Sequence, residues 1–457
     1  MNVKIKILSG FFIIASVALL SGCGCKPQNP KQYSLNLEVW GVLDDRETLN
    51  KIFEVYKKTN PNVEKIEYKK ITYDTYKKEL IEAMASGQGP DIFLLHNTWL
   101  SGFSDKTVPA PGEILTEQKF RNDFVDVVAD DFLVNGQIWA APMSVNCLGL
   151  YYNKDLFNEA GITSPPKTWD EFVEDTEKLT KFDEFNAIKQ SGAAIGTAYN
   201  INRSTDIFNL LMLQNGTKMF EGDRAAFDRA LSVGSSYVSS GENALNFYTQ
   251  FAKTGSPSYT WNSNLHYSLD AFAESTVAMM FSYPWNIETV KSKAPKLNFA
   301  IASVPQFESG VKANYANYWA LAVAKNKAST VDDKVRVAEA WKLIKYLATR
   351  PEGEASYISS FGQIAQTEDP NFDPGLFYAQ NNHQPSGRRD IIEKQKTDPM
   401  IGVFAVDNLI AKSWRQADPE GIEQIFAGMI DSVNRGEAKA SDAIHTAATR
   451  VNALTGR

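Results

Sequence analysis

Short apolar strands alternate with amphipathic helices along almost the whole chain, and this alternation restricts the fold more than any other feature of the sequence. Leu35, Leu37 and Val39 alternate with polar residues up to Trp40, the period of two that a half-buried strand requires. Arg46–Thr59 puts Leu49, Ile52, Phe53 and Tyr56 on one helical face, and Pro61 stops it. Asp74 is placed to cap a second helix, with Tyr76, Leu80, Ile81 and Met84 inward and Gly87 closing it. The apolar run that ends at Leu95 predicts another strand. Strand, helix, strand in this order implies a parallel βαβ unit.

The same grammar continues downstream. Ile138–Tyr152 reads as strand-rich, with Pro142 inside it. Thr168 and Glu171 form a capping box ahead of Phe172, Val173, Thr176 and Leu179. Helices are predicted at Thr205–Gln214, Ala244–Lys253 and Val337–Ala348, and in two pieces over Gly421–Leu454. Strands are predicted at Thr276–Phe281, Asn298–Val304 and Trp319–Ala324. No internal repeat and no long low-complexity stretch interrupts the pattern, so the class is α/β throughout.

The first residues carry a different signal. Lys4 and Lys6 precede an apolar run, Ile7–Leu20, too short for a comfortable transmembrane helix of about 20 apolar residues. Leu20-Ser21-Gly22-Cys23 follows at once and is similar to a bacterial lipobox. Residues 1–22 are therefore expected to be a lipoprotein signal peptide, Cys23 the lipidated residue and residues 23–33 a polar tether. Two acyl chains anchor a protein stably, since each buried methylene contributes about 0.8 kcal/mol. The expected location is extracytoplasmic, in the cell envelope, attached to the membrane through this N-terminal lipid.

Composition removes several classes. The net charge of −7 becomes −9 without Lys4 and Lys6, and no basic run is present, so no nucleic-acid partner is expected. The three cysteines supply no disulfide framework, and Cys147 reads as a buried small residue. The four histidines lack metal-ligand spacing. No phosphate loop, nucleophile elbow or HExxH is present, and neither a metal nor a cofactor is expected.

In open α/β sheets, ligands sit beyond the carboxyl ends of the strands. Those ends carry Trp40 with Asp44 and Asp45, then His96 and Asn97 with Trp99 beyond, then Tyr283-Pro284-Trp285. Indoles beside hydrogen-bonding side chains suit a carbohydrate, because a sugar ring has an apolar face and a belt of hydroxyls. Each tryptophan taken singly has core packing as its ordinary role, and Asp44, Asp45 and His96 have ordinary structural roles too.

Several segments, in their order, resemble the family 1 extracellular solute-binding proteins of bacterial ABC importers, of maltose-binding-protein type. They are GQGPDIFLL (Gly87–Leu95), LYYNKDLFNEAGITSPPKTWDEF (Leu150–Phe172), AFAESTVAMMFSYPWNI (Ala271–Ile287), KLNFAIASVPQF (Lys296–Phe307) and NYWALAVAKNK (Asn317–Lys327). The resemblance implies a two-lobed, periplasmic-binding-protein-like fold of type II, with discontinuous lobes joined by crossover strands. Residues 34–143 and 304–350 would form the first lobe, and 148–298 and 353–457 the second. The ligand would lie between them. Trp285 matches the family's stacking tryptophan, and Asn146 falls in the first crossover, where relatives place a polar contact. Trp40, Asp44, His96 and Asn97 match loops after the first lobe's strands. The polar loop Asn200–Asp206 resembles a cleft-facing segment, and Trp319 and Trp414 join by position. The function so implied is non-enzymatic binding of a mono- or oligosaccharide by a monomer that delivers it to membrane permease subunits. The alternatives are a polyol, a glycerol phosphate or a peptide as ligand, or an exported glycoside hydrolase, for which no carboxylate pair stands out.

Overall fold

The structure is a computed structural model that describes residues 33–43, 45–222, 224–233, 236–325, 327–351 and 372–454. The expected signal peptide, Cys23 and Asp44 lie outside these residues.

Two five-stranded sheets organise the molecule, one in each lobe. The first contains β1 (Leu35–Gly41), β2 (Val63–Lys70), β3 (Ile92–His96), β4 (Thr107–Val108) and β10 (Trp319–Ala324), in the order β2-β1-β3-β10-β4. The second contains β5 (Gly149–Asn153), β6 (Lys181–Phe182), β7 (Ile188–Ala194), β8 (Val277–Ser282) and β9 (Phe299–Ala302), in the order β9-β5-β8-β7-β6. β1 runs parallel to β2 and β3, the βαβ geometry expected from the sequence, and β10 enters antiparallel between β3 and β4.

The helices follow from local chemistry. α1 (Arg46–Thr59) occupies the range its periodicity predicts. α2 (Tyr73–Ala85) starts one residue before Asp74, with Thr72 at the N-cap position and no side-chain cap. α3 (Trp169–Leu179) begins with the full capping box: Glu171 N–H donates to Thr168 Oγ1 at 3.1 Å, and Thr168 N–H to Glu171 Oε2 at 3.2 Å. α4 (Ser204–Gln214), α5 (Ser240–Thr249), α6 (Asp333–Ala348), α7 (Pro374–Asn381), α8 (Pro419–Asn434) and α9 (Ala440–Leu454) complete the set used below. Ile138–Tyr152 is less regular than expected: only 137–138 and β5 are strand, because Pro142 cannot donate to a ladder.

Each lobe has its own tryptophan anchor. In the first, Trp341 is fully buried and donates from Nε1 to Val108 O at 3.0 Å. In the second, Trp169 packs among Phe172, Phe247, Phe281 and Phe307 and donates to Gln214 Oε1 at 2.6 Å. The C-terminal stretch divides between the lobes, where the sequence reading gave it wholly to the second. α7 packs on α1 and α6 of the first lobe, whereas α8 and α9 pack on α4 and α5 of the second.

Three segments cross between the lobes. The first runs from Ala140 to Leu148, with Ala141 bridging Leu321 and Cys147 bridging Ala316. The second contains Asn314–Tyr315, which pairs in parallel with Ala411–Lys412 of the third. Asparagine side chains replace missing ladder bonds. Asn314 accepts from Leu148 N–H at 3.2 Å and donates to Leu148 O at 2.7 Å, as a strand residue's backbone would. Asn408 donates to Val145 O at 2.7 Å and Ser386 O at 3.1 Å. Cys147 is buried here as a free thiol, as its sequence context suggested.

Candidate ligand-binding cleft

A partly open chamber of about 60 Å³ lies where the lobes face each other. From the first lobe it takes Tyr73 at the start of α2, with His96, Thr98 and Trp99 after β3. From the second it takes Arg203, Asp206 and Asn209 at the start of α4, and Glu420, Glu423 and Phe426 on α8. Asn317 and Tyr315 of the second crossing segment form the wall between them. Such a volume holds roughly four waters, too little for a larger solute in this arrangement of the lobes. Two wider, open clefts of about 750 and 710 Å³ flank the chamber, and Arg203, Glu420 and Glu423 line both.

Asp206 is the centre of the polar network. Its Oδ2 accepts from Arg203 Nε at 2.8 Å, Tyr283 Oη at 2.8 Å and Asn317 Nδ2 at 3.1 Å. All three bonds converge on one oxygen, which leaves Oδ1 as an acceptor on a chamber-lining residue. Burial first, and the Asp206 charge second, raise the Tyr283 hydroxyl well above its ordinary range and keep it a donor.

The network reaches the other lobe through Asn317. Because its Nδ2 donates to Asp206, its Oδ1 must accept, at 2.9 Å, from Nε2–H of His96. That fixes the tautomer: Nδ1 of His96 accepts from Thr98 Oγ1 at 2.8 Å. Burial, outweighing the Asn317 bond, lowers His96 to about 4, so the ring is neutral at pH 7. A directed chain, Thr98 to His96 to Asn317 to Asp206, therefore runs from one lobe to the other.

Aromatic groups surround this network. Trp99 stacks on Phe103 at 5.5 Å and meets Trp319 edge-on at 5.2 Å. Tyr73, 62% exposed, stands edge-on to Trp319 at 6.2 Å. Trp285 is 40% exposed and lies flat on Tyr283, with centroids 4.2 Å apart and planes 11° apart. One indole face is thus backed by a ring whose hydroxyl touches Asp206. Lys77 of α2 and Glu420 of α8 join the lobes at one mouth, 3.2 Å apart.

Of the residues singled out from the sequence, His96 lines the chamber and Trp285 stands next to its network. Trp319 lines a small apolar cavity beside it, together with Val39, Leu94 and Met143. Most of the others are spent on structure. Side chains alternate along β1, so Val39 faces that cavity while Trp40 turns to the opposite face, donating to Glu38 at 2.7 Å beneath Lys69. Asn97 donates to Asp131 at 3.3 Å and accepts from Tyr318 N–H at 3.3 Å, which pins the second crossing segment to the sheet. Asn146 is buried; its backbone carbonyl holds Asn317 N–H at 2.8 Å, while its side-chain Oδ1 has no hydrogen-bond partner among the described residues. Asn200 donates to Asn262 O and Leu265 O at 2.9 and 3.0 Å and accepts from Trp261. Trp414 lies one layer behind the chamber, donating to Asn209 at 3.0 Å. The loop Asn200–Asp206 does reach the cleft, through Arg203 and Asp206 rather than Asn200. Asn317, Glu420 and Glu423 were not anticipated. Among the described residues no group of His, Cys, Asp and Glu could hold a metal ion, and no helix is long and apolar enough to cross a membrane.

Two lobes on three crossing segments, closing over a small polar chamber, define a receptor that shuts around a solute. The chain belongs to the bacterial extracellular solute-binding protein family, whose model matches residues 40–354. It is 23% identical over 349 residues to the multiple sugar-binding protein of Streptococcus mutans, covering 75% of this chain and 78% of that one. Its fold matches the cyclic alpha-maltosyl-1,6-maltose binding protein of Arthrobacter globiformis with a TM-score of 0.70 at 18% identity, over 92% of this chain and 99% of that one. It also matches an ABC transporter solute-binding protein of Thermotoga lettingae bound to alpha-D-tagatose, with a TM-score of 0.63 at 22% identity, over 92% and 100%.

Proposed function

We propose that this protein captures a saccharide between its lobes and presents it to the permease subunits of an ABC importer, held at the membrane by a lipid on Cys23. The observation that carries the sugar reading is the Tyr283–Trp285 stack, a partly exposed indole backed by a ring that is hydrogen-bonded to a carboxylate. Exposing an indole is costly in apolar surface, and a sugar's C–H face recovers it, while Asp206 Oδ1, Arg203 and Glu423 offer partners for hydroxyls. The names of the relatives, which include a multiple sugar-binding protein, agree with this reading. The process contains no chemical step: a ligand touching both lobes favours the closed arrangement because only there are both sets of contacts made.

A thermal-shift screen over mono- and oligosaccharides tests the class, since a bound ligand raises the melting temperature by linkage. Calorimetry then tests the site: Trp285→Ala should weaken the bound sugar at least tenfold while leaving the melting temperature of the free protein unchanged. Equal affinity would remove Trp285 from the site. Loss of fatty-acid labelling in Cys23→Ala tests the anchor.

A further inference from the structure

Each of the two open clefts, at about 750 and 710 Å³, falls by itself within the roughly 300–1,000 Å³ of a complete small-ligand site. They are not separate sites, because Arg203, Glu420 and Glu423 line both of them and the chamber as well. Tyr73 and Trp99 carry the chamber wall into the larger cleft, along α2 of the first lobe. Thr205 carries it into the other, along the second-lobe stretch from Ala198 to Thr205. The three spaces form one track, narrow in the middle and broad at both ends.

Each broad end presents exposed aromatic rings. Seven Phe, Tyr and Trp side chains are exposed among the described residues, and three of them, Tyr73, Tyr199 and Tyr267, line these clefts. Tyr73 is 62% exposed at the α2 end. At the other end Tyr199 is 68% and Tyr267 41% exposed, and the Tyr267 hydroxyl donates to Asn202 Oδ1 at 3.1 Å, which holds its ring in place. Exposed rings scattered singly need no ligand, but three along one track leave apolar surface in water that a ligand would cover. Asn202, Glu420, Glu423 and Gln424 set polar groups among them. A chain of sugar rings repeats the same two demands unit after unit, an apolar wall for its C–H surface and polar partners for its hydroxyls. A monosaccharide held beside Arg203 would leave the tyrosines of both ends in water.

We infer that the ligand is an oligosaccharide of three or more units, with one ring beside Arg203, where the three spaces meet, one end along Tyr73 and α2, and the other along Tyr199 and Tyr267. This rests on the saccharide reading above and sets the length class within it.

Calorimetry with ladders from the single sugar to the hexamer tests the inference: the maltose, cellulose, β-mannan and xylan series, titrated into wild type, Tyr73→Ala and Tyr199→Ala. In a series that binds, affinity should rise about tenfold or more from monomer to trimer. Tyr199 lines only the outer cleft, so Tyr199→Ala should shrink the trimer's advantage over the monomer about tenfold, whereas a residue serving only the fold would weaken all lengths alike. Tyr73 lines the chamber too, so Tyr73→Ala should weaken the trimer about tenfold. Both positions are exposed, and the melting temperatures of the free variants should match wild type. A smaller rise with length, a Tyr199→Ala protein that keeps the wild-type advantage, or a Tyr73→Ala protein that binds the trimer as wild type does, overturns the inference and leaves the saccharide reading standing. If no member of any ladder binds wild type, the two fall together.

Discussion

Replacing Asn317 by alanine probes the connection between the lobes most directly. Its side chain holds His96 Nε2 at 2.9 Å on one side and Asp206 Oδ2 at 3.1 Å on the other. A hydrogen bond between neutral groups is worth about 1 kcal/mol net, and one to a charged group about 1.5–3 kcal/mol. Truncation also strands the His96 N–H in a buried place. The total is about 3 kcal/mol in the closed arrangement. Only the Asp206 bond needs the lobes this close, because Trp319, two residues on, pairs with His96 within the first sheet, so about 2 kcal/mol of that loss falls on closure and the rest on the first lobe. At 1.4 kcal/mol per decade, ligand affinity should drop about thirtyfold. Calorimetry with the tightest saccharide from the screen reads this, and a parallel melting curve reads the remainder as a fall of a few degrees. Affinity within threefold of wild type, with a normal melting curve, would refute the claim that this relay couples the lobes.

The other predictions concern the hinge and the core. Asp131, which accepts from Tyr318 Oη at 2.7 Å, is pushed by burial to about 7 from an ordinary 3.8, a gap of roughly 4 kcal/mol. Because the folded state binds this proton more tightly, the group's stabilising contribution is complete below about pH 4 and is lost as pH rises towards 7. The stability advantage of wild type over Asp131→Asn should therefore shrink between pH 4.5 and 7.5, and a constant difference in urea unfolding would disprove it. Nitrogen NMR should find His96 as the Nε2–H tautomer, titrating near 4; a ring that protonates near 6.5 would contradict the buried chain of bonds. Gly192→Ala places a Cβ 2.3 Å from Thr176 O, and should destabilise the second lobe by about 1–3 kcal/mol in denaturant unfolding.

Local chemistry made much of the fold legible. α1, the box at Thr168 and Glu171, and β10 were readable because periodicity and capping act within a few residues. The cleft was less so. His96 and the Asn200–Asp206 loop could be found at the end of a strand and before a helix. Glu423 reads in the sequence as an ordinary polar position on an amphipathic helix; only tertiary packing sets it beside Arg203, more than two hundred residues earlier. Trp40 was misplaced for a reason the sequence did contain. Leu35, Leu37 and Val39 define the inward face of β1, and Trp40 has the opposite parity. Asn97 and Asn200 looked like free polar groups, but backbone amides and carbonyls at the ends of regular structure consume them, and no local pattern announces that demand.

The three crossings carry a further consequence. Two bodies joined by one flexible linker can tumble and slide in every direction. Bodies fastened at three neighbouring points, with Asn314 and Asn408 stitching the points together, retain little more than a single swing. Each cycle then repeats one path, like a clamshell, and the outer faces arrive at one reproducible angle when the chamber is shut. A filled chamber is thereby reported as a defined shape on the far side of the molecule, legible to a surface that never touches the solute.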